Sequence, residues 1–146
     1  VRLTYLINHS KITEMGKQIV NTGGKAFGPY STAVWSGDTL FISGQIPFNA
    51  DKGELDLSSI EAQTHQVMKN VAAVLSHVNL TWNDVVKASI FLTDMNDFSA
   101  VNEVYATYFD AERAPARECV QVAALPRGVN IEISVIAAKV TSIFNA

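Results

Sequence analysis

A single cysteine, four prolines and three histidines are spread over the 146 residues. Cys119 has no second thiol with which to close an internal disulfide, and the absence of any C-x-x-C pair removes structural zinc and dithiol redox chemistry. A reducing compartment is the natural expectation. His65 and His77 stand twelve positions apart (77 − 65) in a stretch that reads as one helix, too far to share a metal, and His9 lies near the start. No metal site is therefore expected. Apolar runs are short and never approach the roughly 18–20 residues of a membrane span. Charge is also sparse: eleven Lys and Arg against fourteen Asp and Glu give a net −3. The basic residues are scattered, which gives nucleic acid no evident electrostatic footing. No G-x-G-x-x-G, Walker loop, H-E-x-x-H or G-x-S-x-G sequence occurs, so nucleotide binding, zinc proteolysis and serine-hydrolase chemistry lose their usual signatures.

What remains is 48% hydrophobic and 17% charged, the composition of one globular domain. Residues 1–14 carry Arg2 and Lys11 and read either as a transit-like segment or as an extension ahead of a natural start at Met15. They are set apart from residues 15–146, which read as a single domain. A cytoplasmic location is expected, or a mitochondrial one if the extension is genuine.

Periodicity predicts the elements. Residues 17–20 read as a short strand. Residues 30–35 and 39–43 read as a hairpin around Ser36-Gly37-Asp38, where glycine supplies a positive φ. Leu40, Phe41 and Ile42 are consecutive apolar residues and predict a strand covered on both faces. Ser58-Ser59-Ile60-Glu61 has the form of a capping box. After it Ile60, Val67, Met68, Val71, Val74, Leu75 and Val78 recur at helical spacing, with Gln63, Gln66, Lys69, Asn70 and His77 on other faces. Asn79 is placed to end this helix in a left-handed conformation. Residues 85–93 alternate as a strand with Val86, Ala88, Ile90 and Leu92 on one apolar face. Phe98, Val101, Tyr105, Tyr108 and Phe109 predict a second helix capped by Asn96 or Asp97, and residues 117–124 and 130–141 predict two more strands. The fold class is α+β, a mixed sheet with two helices packed on one face.

Two stretches carry chemistry. In Pro115-Ala116-Arg117-Glu118-Cys119-Val120-Gln121, strand alternation sends Arg117, Cys119 and Gln121 to one face. A guanidinium beside a small thiol offers a planar donor fork matched to a carboxylate, although the spacing taken alone favours a surface salt bridge and an ordinary buried core cysteine. Glu132, flanked by Ile131 and Ile133, either has a partner and serves as a base or water acceptor, or lies exposed on an edge strand.

Taken in order, Gly28-Pro29-Tyr30-Ser31, Ser43-Gly44-Gln45-Ile46-Pro47, Asn96-Asp97-Phe98 with Val101-Asn102 and Tyr105, Pro115-Ala116-Arg117 with Cys119, and Ile131-Glu132-Ile133 resemble the reactive intermediate deaminase (Rid, or YjgF) family over residues 17–140. The resemblance implies a chorismate-mutase-like α+β fold assembled as a homotrimer, with clefts between neighbouring subunits. It also implies cofactor-free hydrolysis of 2-imino acids, formed from enamines such as 2-aminoacrylate, to 2-keto acids and ammonia. On this basis Arg117 grips the substrate carboxylate and backbone donors around Gly44 and Cys119 fix the carboxylate or imine end. Glu132 holds the attacking water, and Tyr30, Ser43 and Asn102 shape the cleft. Glu118, where a small residue is usual, and Gln121, where an acid is common, depart from the pattern and leave substrate preference open. Two other readings compete: an endoribonuclease or translation inhibitor, and a non-catalytic, chaperone-like trimer that binds small carboxylates.

Overall fold

A computed structural model describes residues 16–23 and 27–139; the N-terminal extension discussed above lies outside them. Eight strands and two helices follow in order: β1 (Gln18–Val20), β2 (Ala33–Ser36), β3 (Thr39–Gln45), β4 (Phe48–Asn49), β5 (Glu54–Leu55), α1 (Ile60–His77), β6 (Val85–Leu92), α2 (Phe98–Ala106), β7 (Ala116–Gln121) and β8 (Ile131–Ala138). Six strands form one sheet in the order β1-β2-β3-β8-β6-β7, and β4 and β5 pair separately as a small hairpin. Among the described strands only β6 and β7 run parallel, with α2 in their crossover. The mixed α+β sheet with both helices on one face is therefore present.

The core lies between that face and the helices. Val67, Met68, Val71 and Leu75 of α1 pack over Leu40, Ile90, Leu92, Ile131 and Ile133 of the sheet, all essentially inaccessible to water. Each such side chain contributes about 1.5–3 kcal/mol of burial free energy. β8 alternates strictly, with Ile131, Ile133, Val135 and Ala137 inward and Glu132, Ser134, Ile136 and Ala138 on the helix-free face. Gly37 has φ 59° in the turn joining β2 and β3, and Asn79 has φ 59° beyond α1, both as the sequence leads one to expect.

Several details depart from the sequence reading. The helix begins one residue later than the expected capping box: Ser59 is the cap, accepting from the Ala62 N–H, while Ser58 bonds Asp56. Gln63, off the apolar stripe of the helix, is nonetheless buried. Its side-chain amide and Asn130 bond reciprocally, Gln63 Nε2 to Asn130 Oδ1 and Asn130 N–H to Gln63 Oε1, both at 2.9 Å, which satisfies the buried amide. Val86 is exposed and Val85 buried because the β6–β8 register slips between Val85 and Lys87, reversing the alternation at that end. Phe41 is 47% exposed, so β3 is covered on one face of the chain only. With Ile19, Val86 and Val120 it leaves an apolar, helix-free sheet face crossed by a polar strip, in which Glu118 takes Lys87 at 2.9 Å and the Ser89 hydroxyl at 2.5 Å. Among the described residues no helix is long and apolar enough to cross a membrane.

Candidate active site

The residues singled out from the sequence fall into two groups, on opposite faces of the sheet. The first surrounds Glu132. Between Ile42 and Gln45 the pairing of β3 with β8 shifts register, so three steps on β3 answer two on β8. This irregularity puts Ser43 and Gly44 beside the Glu132 side chain, a common use of bulges near sites. Gly44 lets the Glu132 carboxyl lie against the backbone of β3: a Cβ on it would lie 2.7 Å from Glu132 Cδ and displace that group. Ser43 is tied down, its hydroxyl donating to the Ser31 carbonyl at 2.7 Å and its N–H to Thr32 at 3.0 Å. Tyr30, Ser43, Gly44 and Glu132 line a cavity of about 390 Å3 together with Phe27, Ile46, Pro126 and Arg127. The Tyr30 hydroxyl accepts from the Phe27 N–H at 3.4 Å. Glu132 is half-buried on a central strand, not on an edge, and burial pushes its carboxyl pKa above the ordinary value. It makes no hydrogen bond or ion pair within the described residues, so its oxygens are available to the cavity.

Arg117 anchors the second group. The register of β7 on β6 sets Arg117 against Ala88 and Cys119 against Ile90, both buried on the helix side. Arg117 accordingly lies along α2: its Nη1 donates to Asn102 Oδ1 at 2.7 Å, and its guanidinium carbon stands 5.0 Å from the Tyr105 ring centroid and 5.8 Å from that of Phe98. An aromatic face and an amide oxygen thus hold the fork while other N–H groups stay open to solvent. Cys119 is half-buried, and burial pushes its thiol pKa up, with Arg117 opposing the shift in part. The group is a poor thiolate nucleophile. Tyr105 is buried, its hydroxyl has no hydrogen-bond partner among the described residues, and its pKa is pushed up to about 12 by desolvation. Gln121, on the same face, accepts from the Met95 N–H at 2.9 Å and so serves the turn before α2. Glu118 points to the other face and does not meet Arg117.

Within one chain, then, Arg117 and Glu132 do not share a cavity. The register pairs Arg117 with inward Ala88 but Glu132 with outward Phe91. Arg117, Asn102 and Cys119 are brought together on one face; Tyr30, Ser43, Gly44 and Glu132 on the other. Sequence reasoning missed Phe27, Ile46, Pro126 and Arg127 as lining residues and treated Phe98 and Tyr105 as plain helix core. A signal existed for Arg127, because Leu125-Pro126-Arg127-Gly128 is a turn sequence directly ahead of the strand that carries Glu132. Among the described residues no cluster of His, Cys, Asp and Glu is arranged to hold a metal ion.

Chemically, one face offers an unpaired carboxylate beside backbone and hydroxyl donors, and the other a braced guanidinium. The sequence pattern of the Endoribonuclease L-PSP family matches residues 22–139. The 2-iminobutanoate/2-iminopropanoate deaminase of Mus musculus is 45% identical over 112 residues, 77% of this chain and 82% of that protein. The crystal structure of YyfA, a Rid-family protein of Yersinia pestis, superposes with a TM-score of 0.81 at 45% identity, covering 85% of this chain and 100% of that one. Escherichia coli TdcF, crystallised with bound serine, gives a TM-score of 0.78 at 39% identity over 84% of this chain and 99% of its own. An unbroken match of this length, on the same mixed sheet, means that the chain belongs to the reactive intermediate deaminase (Rid, or YjgF) family, within the wider Endoribonuclease L-PSP group.

Proposed function

We propose that this protein hydrolyses small 2-imino acids to 2-keto acids and ammonia, without a cofactor, in clefts between copies of the chain in a homotrimer. The observation that carries the reading is the Glu132 carboxyl, half-buried, without a partner among the described residues and set against Gly44 in a cavity of about 390 Å3. A guanidinium braced for a carboxylate lies on the opposite face of the same sheet. Since a single chain keeps them apart, the complete site needs Arg117 of one copy at the cavity of another. The helix-free apolar face supports such an assembly, because Ile19, Phe41, Val86 and Val120 gain burial only from another surface.

Arg117 binds the substrate carboxylate with two parallel N–H donors, fixing the imine carbon near Glu132. Glu132 accepts a proton from a water whose oxygen adds to C2 as the C=N π pair moves to nitrogen. Glu132 returns that proton to the carbinolamine nitrogen, the C–N bond breaks with its electron pair leaving on ammonia, and the C=O forms as the hydroxyl proton passes to Glu132 and then to the departing ammonia. Imine plus water thus gives keto acid plus ammonia, and Glu132 ends as it began. A protonated imine is electrophilic enough to need no covalent intermediate, which agrees with a protonated Cys119.

Freshly generated 2-iminobutanoate provides the test, with keto-acid and ammonia release followed against the spontaneous rate. Acceleration by the wild type and its loss in Arg117→Ala with an unchanged circular dichroism spectrum are expected. Equal rates with and without protein, while 2-ketobutyrate still binds, would instead support a carboxylate-binding module. The matched family's description as an endoribonuclease favours RNA cleavage as a second reading. RNA degradation that co-purifies with the protein and is unaffected by 2-ketobutyrate would support it. Sedimentation tests the trimer.

A further inference from the structure

Arg127 lines the same cavity as Glu132 and has no role in the reaction described above. Its guanidinium carbon stands 4.5 Å from the centroid of the Phe27 ring, and Phe27 is in turn propped edge-on by Phe48, with centroids 5.5 Å apart and planes at 77°. Stacking occupies the face of the guanidinium and leaves its N–H edge free. Among the described residues no carboxylate or carbonyl takes those donors. The backbone at Arg127 is left-handed, φ 61° and ψ 18°, between Pro126 and a Gly128 at φ 72°. A long side chain at such a position costs about 1 kcal/mol or more, and conformations of this kind cluster where a side chain is being placed for a ligand.

The cavity is also generous. Its volume of about 390 Å3 falls in the range that accommodates ligands well beyond four carbons. Its other walls, Phe27, Tyr30, Ile46 and Pro126, offer apolar contact between the Glu132 end and the Arg127 end. Among the described residues Arg127 is the one cationic side chain that lines it.

Building on the imine-hydrolase reading, we propose that Arg127 is a specificity residue and that the site takes 2-imino acids whose side chain ends in a second carboxylate. The C1 carboxylate meets Arg117 of the neighbouring copy, the imine carbon lies at Glu132, and the distal carboxylate meets the free edge of Arg127. Fork geometry gives an arginine here an advantage over a point charge for a planar carboxylate.

The experiment compares kcat/KM for 2-iminoglutarate and 2-iminobutanoate, each generated in situ, in wild type, Arg127→Met and Arg127→Lys. A charge-assisted bidentate contact is worth at least about tenfold. The glutarate-to-butanoate ratio is expected to fall by that factor or more in Arg127→Met and by much less in Arg127→Lys. An unchanged ratio in Arg127→Met, or a wild type that accelerates 2-iminobutanoate but not 2-iminoglutarate, overturns the proposal and leaves the hydrolase reading intact. If neither imine is accelerated, the hydrolase reading fails and calorimetry decides recognition. Tighter binding of 2-ketoglutarate than of 2-ketobutyrate, lost in Arg127→Met, upholds Arg127 as the distal carboxylate site, and any other binding order removes it.

Discussion

Replacing Gly44 with alanine adds one methyl group at the point where β3 passes Glu132. That methyl would stand 2.7 Å from Glu132 Cδ and 3.0 Å from Cγ, whereas ordinary van der Waals contact begins at 3.4 Å. The carboxylate carbon must therefore retreat by at least 0.7 Å (3.4 − 2.7), and its oxygens by more. Gly44 has no positive φ, so alanine meets no backbone strain of its own. Glu132 is a flexible side chain bordering a cavity, so it can move at a cost in stability of about 1 kcal/mol or less. Catalysis tolerates such movement far less: a misplacement of about 1 Å is worth roughly a hundredfold in rate, or about 2.7 kcal/mol of barrier. Gly44→Ala should thus lower kcat for 2-iminobutanoate by about two orders of magnitude while its urea midpoint stays near that of the wild type. Combining it with Glu132→Asp, which withdraws the carboxylate by one methylene, should cost less than the product of the two single effects. A Gly44→Ala protein that turns over within twofold of wild type would refute the role given to Glu132.

Burial raises the Glu132 pKa above its ordinary 4.5, so the acid limb of kcat/KM should lie above that value. Between the ordinary and the raised pKa the folded chain holds a proton that the unfolded chain releases, and stability falls as pH rises through that window. Glu132→Gln should abolish activity and gain stability over the wild type above the raised pKa but not below the ordinary one, as read by urea unfolding at several pH values. Tyr105→Phe removes a buried hydroxyl that has no partner, and should stabilise the protein by about 1 kcal/mol. Urea unfolding that shows a loss of stability instead would mean the hydroxyl is satisfied.

Much of the fold was legible because its signals are local and repeated. Seven apolar positions at helical spacing settle α1, and the alternation in β8 gives its inward face from residue types alone. The errors fall where one residue's shift matters. Val86 was assigned inward because strand periodicity has no means of announcing the slip between Val85 and Lys87. The burial of Gln63, off the apolar stripe of α1, is not legible because its partner, Asn130, is 67 positions away in sequence. The candidate site residues were legible as a single set, through the motifs of the family resemblance, which joins Gly44 with Cys119 and Tyr30 and Ser43 with Asn102. Their separation was not, since whether Arg117 and Glu132 share a side of the sheet depends on the pairing of both β7 and β8 with β6. For Arg127 the turn sequence marks the place but not the left-handed backbone or the aromatic seat at Phe27, which only the structure supplies.

The reciprocal amide pair of Gln63 and Asn130 works at a distance from the chemistry. Asn130 immediately precedes β8 and follows the turn that holds Arg127, so this clasp clamps the height at which the strand enters the sheet. A sideways slip of one step there would turn Glu132 inward and an isoleucine toward the cavity. The two amides thus act as a gauge block behind the sheet, and any exchange of one of them, in the laboratory or by drift, should be tolerated only with a compensating change in the other.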